Sequence, residues 1–214
     1  MVFEKKRILL FAAGVLLVGC GVGMITKAGL GTSAITSLAY VFSMIFPPTL
    51  GIFAFLFNVC MVIIEALLLF LNHRIKGKGD WIRIALQIPA AILFASSIDG
   101  LTWLLRPVVF SAYWQQILML LAGVVVFSLG AAMEVTADII VLPAEAMIKA
   151  VSEVAEKNFG TVKTIVDCSV CAAAIICSLA AFGEIRGVRE GTVVTALAAG
   201  SITRFFLSRL RNAL

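Results

Sequence analysis

Charged residues are scarce in this chain, and the residue sets that enzymes and metal sites need are missing. Only 14% of its 214 residues are charged, and histidine occurs once. There is no Gly-x-Ser-x-Gly, no His-Glu-x-x-His and no phosphate-binding loop. We therefore predict that the protein is not an enzyme and that it uses no cofactor.

Cysteine partners are also missing. All five cysteines lie within apolar stretches, and none has a partner in a polar loop. Cys168 and Cys171 form a Cys-x-x-Cys pair, but no histidine or further cysteine completes a zinc ligand set. We predict no disulfide and no metal site, and we interpret these cysteines as small apolar helix residues.

Apolar residues dominate instead. The chain is 62% hydrophobic with a mean hydropathy of +1.10, more apolar surface than one water-soluble globule can bury. Six apolar runs each approach the roughly 20 residues that cross a bilayer. They lie near residues 8–26, 50–71, 82–105, 114–133, 161–182 and 192–208. We predict an all-α polytopic membrane protein with six transmembrane helices in the lipid bilayer.

The net charge of +5 would suggest nucleic acid in a soluble protein, but here the basic residues cluster at the ends of the runs. Residues 5–7 precede the first run, residues 73–78 follow the second, and Arg209 and Arg211 lie near the C-terminus. The positive-inside rule places all three groups in the cytoplasm when six segments cross. We predict cytoplasmic termini and no nucleic-acid partner.

The chain contains an internal repeat. Residues 8–24 recur as residues 117–133, at a constant spacing of 109 residues. The matched pairs include Gly14 with Gly123, Gly21 with Gly130 and Met24 with Met133. We predict two repeats, 1–109 and 110–214. Because each holds three spans, an odd number, the second must enter the membrane in the opposite sense to the first.

Each repeat also contains a short segment, residues 27–46 and 136–155, that resembles a helix start after broken backbone. Thr32 or Ser33 suits the N-cap of the first short helix, and Pro143 suits the first turn of the second. Such segments are either re-entrant, with protein or water satisfying the backbone, or interfacial. Interrupted segments at matching places point to a binding site. The candidate residues of the first segment are Lys27, Gly31, Thr32 and Ser33.

Ionisable residues inside spans need a stabilising reason, since a charge at the bilayer centre costs at least about 2.5–3.5 kcal/mol. Asp167 has Asn58 as its counterpart in the repeat, and we expect both to line a polar path. Glu134, Asp138 and Glu145 concentrate three carboxylates near one turn of the second half. We predict a substrate or cation site there.

Other charges suggest structural roles. Glu65 lies about two turns from the end of its span and is expected to pair with Arg74 or Lys76. An offset near 105 residues sets Asp99 opposite Arg204, which predicts an ion pair between the third spans of the two repeats.

Three stretches, residues 27–34, 159–167 and 187–192, carry a family resemblance. With these glycine-rich turns and the Asn58 and Asp167 equivalents, the chain resembles the YczE/YyaS/YitT group of bacterial membrane proteins over nearly its whole length. Members often carry Ser-Pro where this chain has Ser33 and Ala34. The resemblance implies the bacterial cytoplasmic (inner) membrane and supplies no substrate.

Together these features predict a secondary transporter of a small polar or cationic solute, coupled to protons or sodium, with alternating access between the repeats. The alternatives are a substrate-binding subunit of a multi-component transporter and a non-transporting membrane regulator. Gly19-x-x-x-Gly23 would let another helix approach closely, either within the chain or in a homodimer.

Overall fold

The computed structural model describes residues 4–75 and 77–211, and this part of the chain is helical without any strand. Helices α1 to α4 belong to the first half and α5 to α8 to the second. Their bounds are α1 Lys5–Lys27, α2 Ser37–Ile45, α3 Leu50–Leu71, α4 Lys78–Leu104, α5 Tyr113–Ala137, α6 Pro143–Val154, α7 Phe159–Phe182 and α8 Glu190–Arg211. A 3-10 turn at Ala34–Thr36 precedes α2.

Six of these helices are long and apolar enough to cross a membrane, namely α1, α3, α4, α5, α7 and α8. They coincide with the six apolar runs of the sequence to within a few residues at each end. The prediction of an all-helical chain with six helices that could span a membrane is therefore confirmed, and these helices suggest a multi-pass membrane protein. The two remaining helices, α2 and α6, are the short ones that follow the broken segments.

Local chemistry explains several helix ends. The Thr49 hydroxyl accepts a hydrogen bond from the backbone N–H of Ile52 at the start of α3. Pro143 occupies the first turn of α6, as predicted. The 3-10 turn before α2 begins directly after Ser33, but the Ser33 hydroxyl contacts the Thr36 hydroxyl at 2.7 Å instead of capping a backbone N–H.

Helices α1 and α5 form the centre of the bundle and cross through glycines, with their chains running in opposite directions. A Cβ atom on Gly14 would lie 2.9 Å from the carbonyl oxygen of Gly130, and one on Gly21 would lie 2.5 Å from the backbone nitrogen of Phe127. Cβ atoms in proteins are essentially never found within 3.0 Å of such neighbouring atoms. Glycine is therefore required for the backbones to approach this closely.

Each central helix carries a flanking helix: α4 packs against α1, and α8 packs against α5. Gly19 and Gly23 face α4, where added Cβ atoms would meet Ser97 and Leu101. On the other side, the Ser128 hydroxyl donates to the carbonyl oxygen of Ala199 on α8 at 3.2 Å. The Gly19-x-x-x-Gly23 surface is thus used within the chain, and a homodimer stays a prediction.

The short helices pack against α3 and α7. At the start of α2, the Ser37 hydroxyl lies 3.8 Å from the sulfur of Cys171, midway along α7. In α6, Ile148 packs in one apolar cluster with Met61, which lies midway along α3. Each short helix therefore contacts the middle of a long helix from the other half of the chain.

Candidate functional site

Two irregular turns stop the central helices. Gly29 and Gly31, after α1, have φ angles of 74° and 112°, and Asp138, after α5, has a φ of 49°. The left-handed region costs a residue with a side chain about 1–2 kcal/mol, although aspartate visits it more readily than most. Each turn is followed by a short helix and has a cavity beside it.

The larger cavity, about 560 Å³, lies beside the turn after α5, between α3, α4, α5 and α6. Six carboxylates and three basic side chains line this acidic cavity. They are Glu65, Asp80, Glu134, Asp138, Glu145 and Glu153, with Arg74, Arg83 and Lys149. The structure thus brings together Glu134, Asp138 and Glu145, the three acids that the sequence suggested as one site.

Three polar side chains form the floor of the acidic cavity, and all are more than nine-tenths buried: Glu65, Gln87 and Glu134. The Gln87 amide nitrogen donates to Glu65 Oε2 at 2.7 Å. Gln87 Oε1 and Glu134 Oε1 are buried and have no hydrogen-bond partner in the described part of the chain. Because an unpaired buried polar atom costs about 1–3 kcal/mol, the floor suits a ligand that carries hydrogen-bond donors.

Glu134 owes its place to a glycine on the neighbouring helix. It lies in the last turn of α5, where a Cβ atom on Gly14 of α1 would come within 3.0 Å of the Glu134 Cγ. Gly14 therefore leaves the space that the glutamate side chain occupies beside α1.

The buried and the exposed parts of the acidic cavity carry different charged residues. The buried floor carries carboxylates and an amide but no base. The three basic residues, Arg74, Arg83 and Lys149, are all exposed, as are the acids Asp138 and Glu153. The buried floor therefore holds acidic side chains and no basic one, whereas the mouth carries both signs, and this arrangement favours a ligand with a buried positive group.

Glu65 and Gln87 were missed by sequence reasoning as site residues. Glu65 was expected to pair with Arg74 or Lys76. It bonds Gln87 instead, Arg74 approaches the Glu153 carbonyl oxygen at 3.5 Å, and Lys76 lies outside the described residues. One signal was available, since Gln87 precedes Pro89 within the α4 span. A proline inside a helix removes a backbone N–H and often marks a functional break.

The second cavity, about 420 Å³, lies beside the turn after α1. We call it the arginine cavity because Arg186 and Arg189 line it, together with Gly29 and Gly31. The Arg189 guanidinium donates to the Gly29 carbonyl oxygen at 3.2 Å. Since α1 and α5 run in opposite directions, the two cavities lie toward opposite ends of the bundle.

Buried hydroxyls adjoin the arginine cavity at the first broken segment. Thr32 is fully buried, and its hydroxyl lies 3.0 Å from those of Thr26 and Thr36. The Thr32 backbone N–H donates to the hydroxyl of Thr192 on α8 at 3.3 Å. Thr32 and Ser33 therefore belong to a network whose hydrogen bonds are made within the protein, and Gly31 lies beside this network in the lining of the arginine cavity.

The remaining predicted site residues lie elsewhere. The Asn58 amide nitrogen is 2.8 Å from the carbonyl oxygen of Ala54 in its own helix. Asp167 pairs with Lys163 at 3.5 Å, one turn earlier on α7, and its other oxygen is buried without a partner in the described residues. Lys27 is half-buried at the end of α1. None of the three predicted residues lines either cavity.

The predicted ion pair between Asp99 and Arg204 is wrong. Asp99 accepts hydrogen bonds from the Thr49 hydroxyl at 2.6 Å and from the Gly51 N–H at 2.8 Å, at the start of α3. Arg204 bonds the Ser201 hydroxyl at 3.3 Å. The reason is the layout of the bundle, because α4 packs on α1 whereas α8 packs on α5, with the central pair between them.

Comparison with known proteins gives one match. Residues 5–208 match the family DUF6198, which is described as a family of unknown function. No curated protein and no solved structure matches the chain.

Proposed function

The chain belongs to the DUF6198 family, whose function is unknown, and we propose that it is a secondary transporter of a small polar or cationic solute. The observation that carries this proposal is the buried, unpaired Glu134 oxygen in a cavity whose floor holds acceptors and no base. Transporters commonly bind substrate and coupling ions at such interrupted helices.

Contacts between the central helices support two inverted repeats. Gly14 packs against Glu134, and its counterpart Gly123 packs against Ile25, the counterpart of Glu134. A two-fold axis in the membrane plane that exchanges the halves would produce this reciprocal pattern. The flanking contacts, α4 on α1 and α8 on α5, follow the same exchange.

The short helices support the re-entrant alternative over the interfacial one. The start of α2 contacts Cys171, and α6 packs near Met61, each midway along a long helix. A helix lying flat on the membrane surface would contact only the ends of the spans. In our proposal α2 and α6 therefore enter the membrane, and the broken backbone before each is satisfied by protein.

Alternating access would use the two cavities in turn. The acidic cavity lies beside the end of α5 and the arginine cavity beside the end of α1. Between them, Val15, Val18 and Val22 of α1 pack in the apolar core with Phe127 of α5. We propose that this state admits solute to the acidic cavity, and that rocking of one repeat against the other closes it and opens the arginine side.

Roles within the site follow from burial. Glu134 would bind the positive charge of the solute or the coupling proton or sodium ion, while Glu65 and Gln87 complete the floor. Asp138 and Glu145 would attract cations at the mouth. Asn58 and Asp167 line neither cavity, so we place binding on Glu134 instead.

The proposal also includes the orientation of the protein in the membrane and its location in the cell. By the positive-inside rule, the basic termini and residues 73–78 would lie in the cytoplasm, so the acidic cavity would open inward. Because the chain also resembles the YczE/YyaS/YitT group, we propose a bacterial inner membrane as its location.

The test is electrical recording from proteoliposomes adsorbed on a solid support, with a panel of cations, amino acids, vitamins and organic anions in sodium and potassium buffers. We expect transient currents for a cationic class of solute, and at least about a tenfold loss in Glu134→Gln, because a buried hydrogen bond to a charged group contributes about 1.5–3 kcal/mol.

Asp167→Asn is the matched control. It also neutralises a carboxylate with an unpaired buried oxygen inside a span, but at a position outside both cavities, so its currents should persist. Equal loss in the two variants would contradict our site. Solutes that stabilise the purified chain but give no current would contradict transport and favour the binding subunit. A panel without stabilisation or current would favour the regulator.

A further inference from the structure

The ligand of the acidic cavity can be specified further, on the premise of the proposed function. We propose that this cavity binds a primary ammonium group beside Glu134 and Gln87, the two residues of its lining that each carry an unpaired acceptor oxygen. The ligand class is then a small organic amine, as opposed to an alkali metal ion or a quaternary ammonium compound.

The unpaired buried atoms of the cavity lining are all hydrogen-bond acceptors. Both Glu134 Oε1 and Gln87 Oε1 are acceptors, and both are buried without a donor in the described residues. The orientation of the Gln87 amide is fixed by Glu65, since turning it over would place its oxygen against a carboxylate. The floor therefore requires a ligand that carries hydrogens, and a methylated nitrogen has none to give.

The ionisable side chains in the buried lining of the cavity are acidic. Glu65 and Glu134 are the only ionisable side chains among the buried residues that line the described cavity. Every basic residue of the lining is exposed. A positive donor on the floor would therefore face carboxylates at short range and arginine or lysine only at the mouth, where water screens them.

The arrangement of the acceptors favours an ammonium group over a metal ion. Among the residues that the structure describes, no three histidine, cysteine, aspartate or glutamate side chains converge as metal ligands. The floor acceptors instead come from different helices, Gln87 on α4 and Glu134 on α5. An ammonium group can be held by one or two acceptors, whereas a metal ion needs several oxygen ligands around it.

The size and mouth of the cavity limit the rest of the ligand. A volume of about 560 Å³ holds a molecule considerably larger than an ammonium ion. The mouth offers both Arg83 and Lys149 for an anionic end, and Asp138 and Glu153 for a second cation. An amino acid and a diamine share the ammonium group, and the experiment must separate them.

The first experiment measures binding to the purified wild-type protein in detergent by isothermal titration calorimetry, with a series of four-carbon compounds. Butylamine, 1,4-diaminobutane and 4-aminobutanoate carry a primary ammonium, butyltrimethylammonium carries the charge without hydrogens, and sodium chloride supplies the bare ion. We expect at least one primary amine to bind about tenfold or more tightly than the quaternary compound and sodium. Stronger binding of the diamine or the amino acid identifies the second group.

The second experiment removes the acceptor of Gln87, together with the amide N–H that Glu65 accepts. Gln87→Leu deletes an acceptor without changing charge, and we expect it to weaken amine binding about tenfold or more, because hydrogen bonds to charged groups are among the strongest. Thr102→Val is the matched control, since Thr102 Oγ1 is the other buried oxygen of α4 that lacks a partner in the described residues. It lies outside the acidic cavity, so its affinity should be unchanged.

Two results would overturn the inference: binding of the quaternary compound as tight as that of butylamine, or no amine binding by folded, monodisperse wild-type protein. Both results are measured on the wild-type protein. The inference can therefore be tested even if the Gln87→Leu protein does not fold. Binding of amines without current in proteoliposomes would support the amine site and contradict transport. Currents from another solute, abolished in Glu134→Gln without amine binding, would contradict the amine site and support transport.

Discussion

The two halves of the chain place different side chains at matching positions of the central helices. Glu134 on α5 lies over Gly14, while its counterpart Ile25 on α1 lies over Gly123 and is fully buried. The packing is the same, but one half has a carboxylate facing a cavity and the other has an aliphatic side chain in an apolar cluster. In the two repeats that we propose, the packing of the central helices is thus shared by both halves, and the carboxylate facing a cavity is confined to one.

The turns after the central helices differ in the same way. Gly29 and Asp138 occupy matching positions, and both are left-handed. Glycine has no side chain to strain there, whereas Asp138 adds a charge at the mouth of the acidic cavity. Backbone strain retained where an ordinary residue lines a cavity is typical of a functional position.

The outer helices differ in how firmly they are held. Asp99 on α4 fixes the start of α3 through Thr49 and Gly51, and α3 packs along α4. The corresponding pair in the second half, α7 and α8, lacks such packing, and only 11% and 6% of their apolar windows are buried inside the protein. We expect the second half to be the more mobile one.

The largest expected effect comes from giving the first half the acid of the second. Ile25→Glu would bury a carboxylate in the apolar cluster of α1 and α5, where no described cavity receives it. The loss should exceed about 3 kcal/mol, and we expect little folded protein by size-exclusion chromatography. Ile25→Met should fold normally, and a well-folded Ile25→Glu protein would show that the halves are more alike than their cores suggest.

The second prediction separates backbone strain from steric clash in the turn after α1. In Gly31→Ala, the φ of 112° is strained and the new Cβ would lie 2.6 Å from the Thr192 hydroxyl oxygen. In Gly29→Ala, φ is 74° and nothing lies within 4 Å. We expect losses of about 3 kcal/mol and about 1 kcal/mol, respectively. Thermal unfolding in detergent measures both, and equal losses would mean that the contact with α8 is loose.

The third prediction concerns the hydrogen bonds that join the start of α3 to α4. Asp99→Ala removes the carboxylate that accepts hydrogen bonds from Thr49 and Gly51, which should cost about 1–2 kcal/mol. Arg204→Ala on α8 should cost less than about 0.5 kcal/mol, because the guanidinium bonds only a nearby serine on the exposed surface. If the two variants lost the same stability, the difference between the outer helix pairs would not hold.

The sequence was sufficient for the helices because length and hydropathy decide which segments can span a bilayer. It also identified Glu134, Asp138 and Glu145 as neighbours, since one turn joins them. Gln87 was not predicted as a site residue because its role depends on contact with Glu65, which lies 22 residues earlier on another helix. Likewise, the false pair of Asp99 and Arg204 came from extending the repeat to spans that align poorly. Contacts between helices are set by packing that no local pattern encodes.

The smallest expected effect tests the strained turn of the second half by making it resemble the first. Asp138→Gly removes the side chain from a left-handed residue with φ of 49° and ψ of 45°, so the folded state should gain about 0.5–1 kcal/mol. Asp138→Asn keeps a side chain that tolerates this conformation and removes only the charge, so its stability should change less. The thermal midpoint in detergent measures the strain, and calorimetric titration with butylamine measures the contribution of the charge.

If Asp138→Gly lowers the midpoint, the aspartate makes interactions that outweigh its strain, and the two turns differ in their hydrogen bonds as well as in charge. If it raises the midpoint and both variants weaken amine binding alike, the carboxylate at the mouth is retained for its charge at the expense of stability, as expected of a residue that serves the cavity.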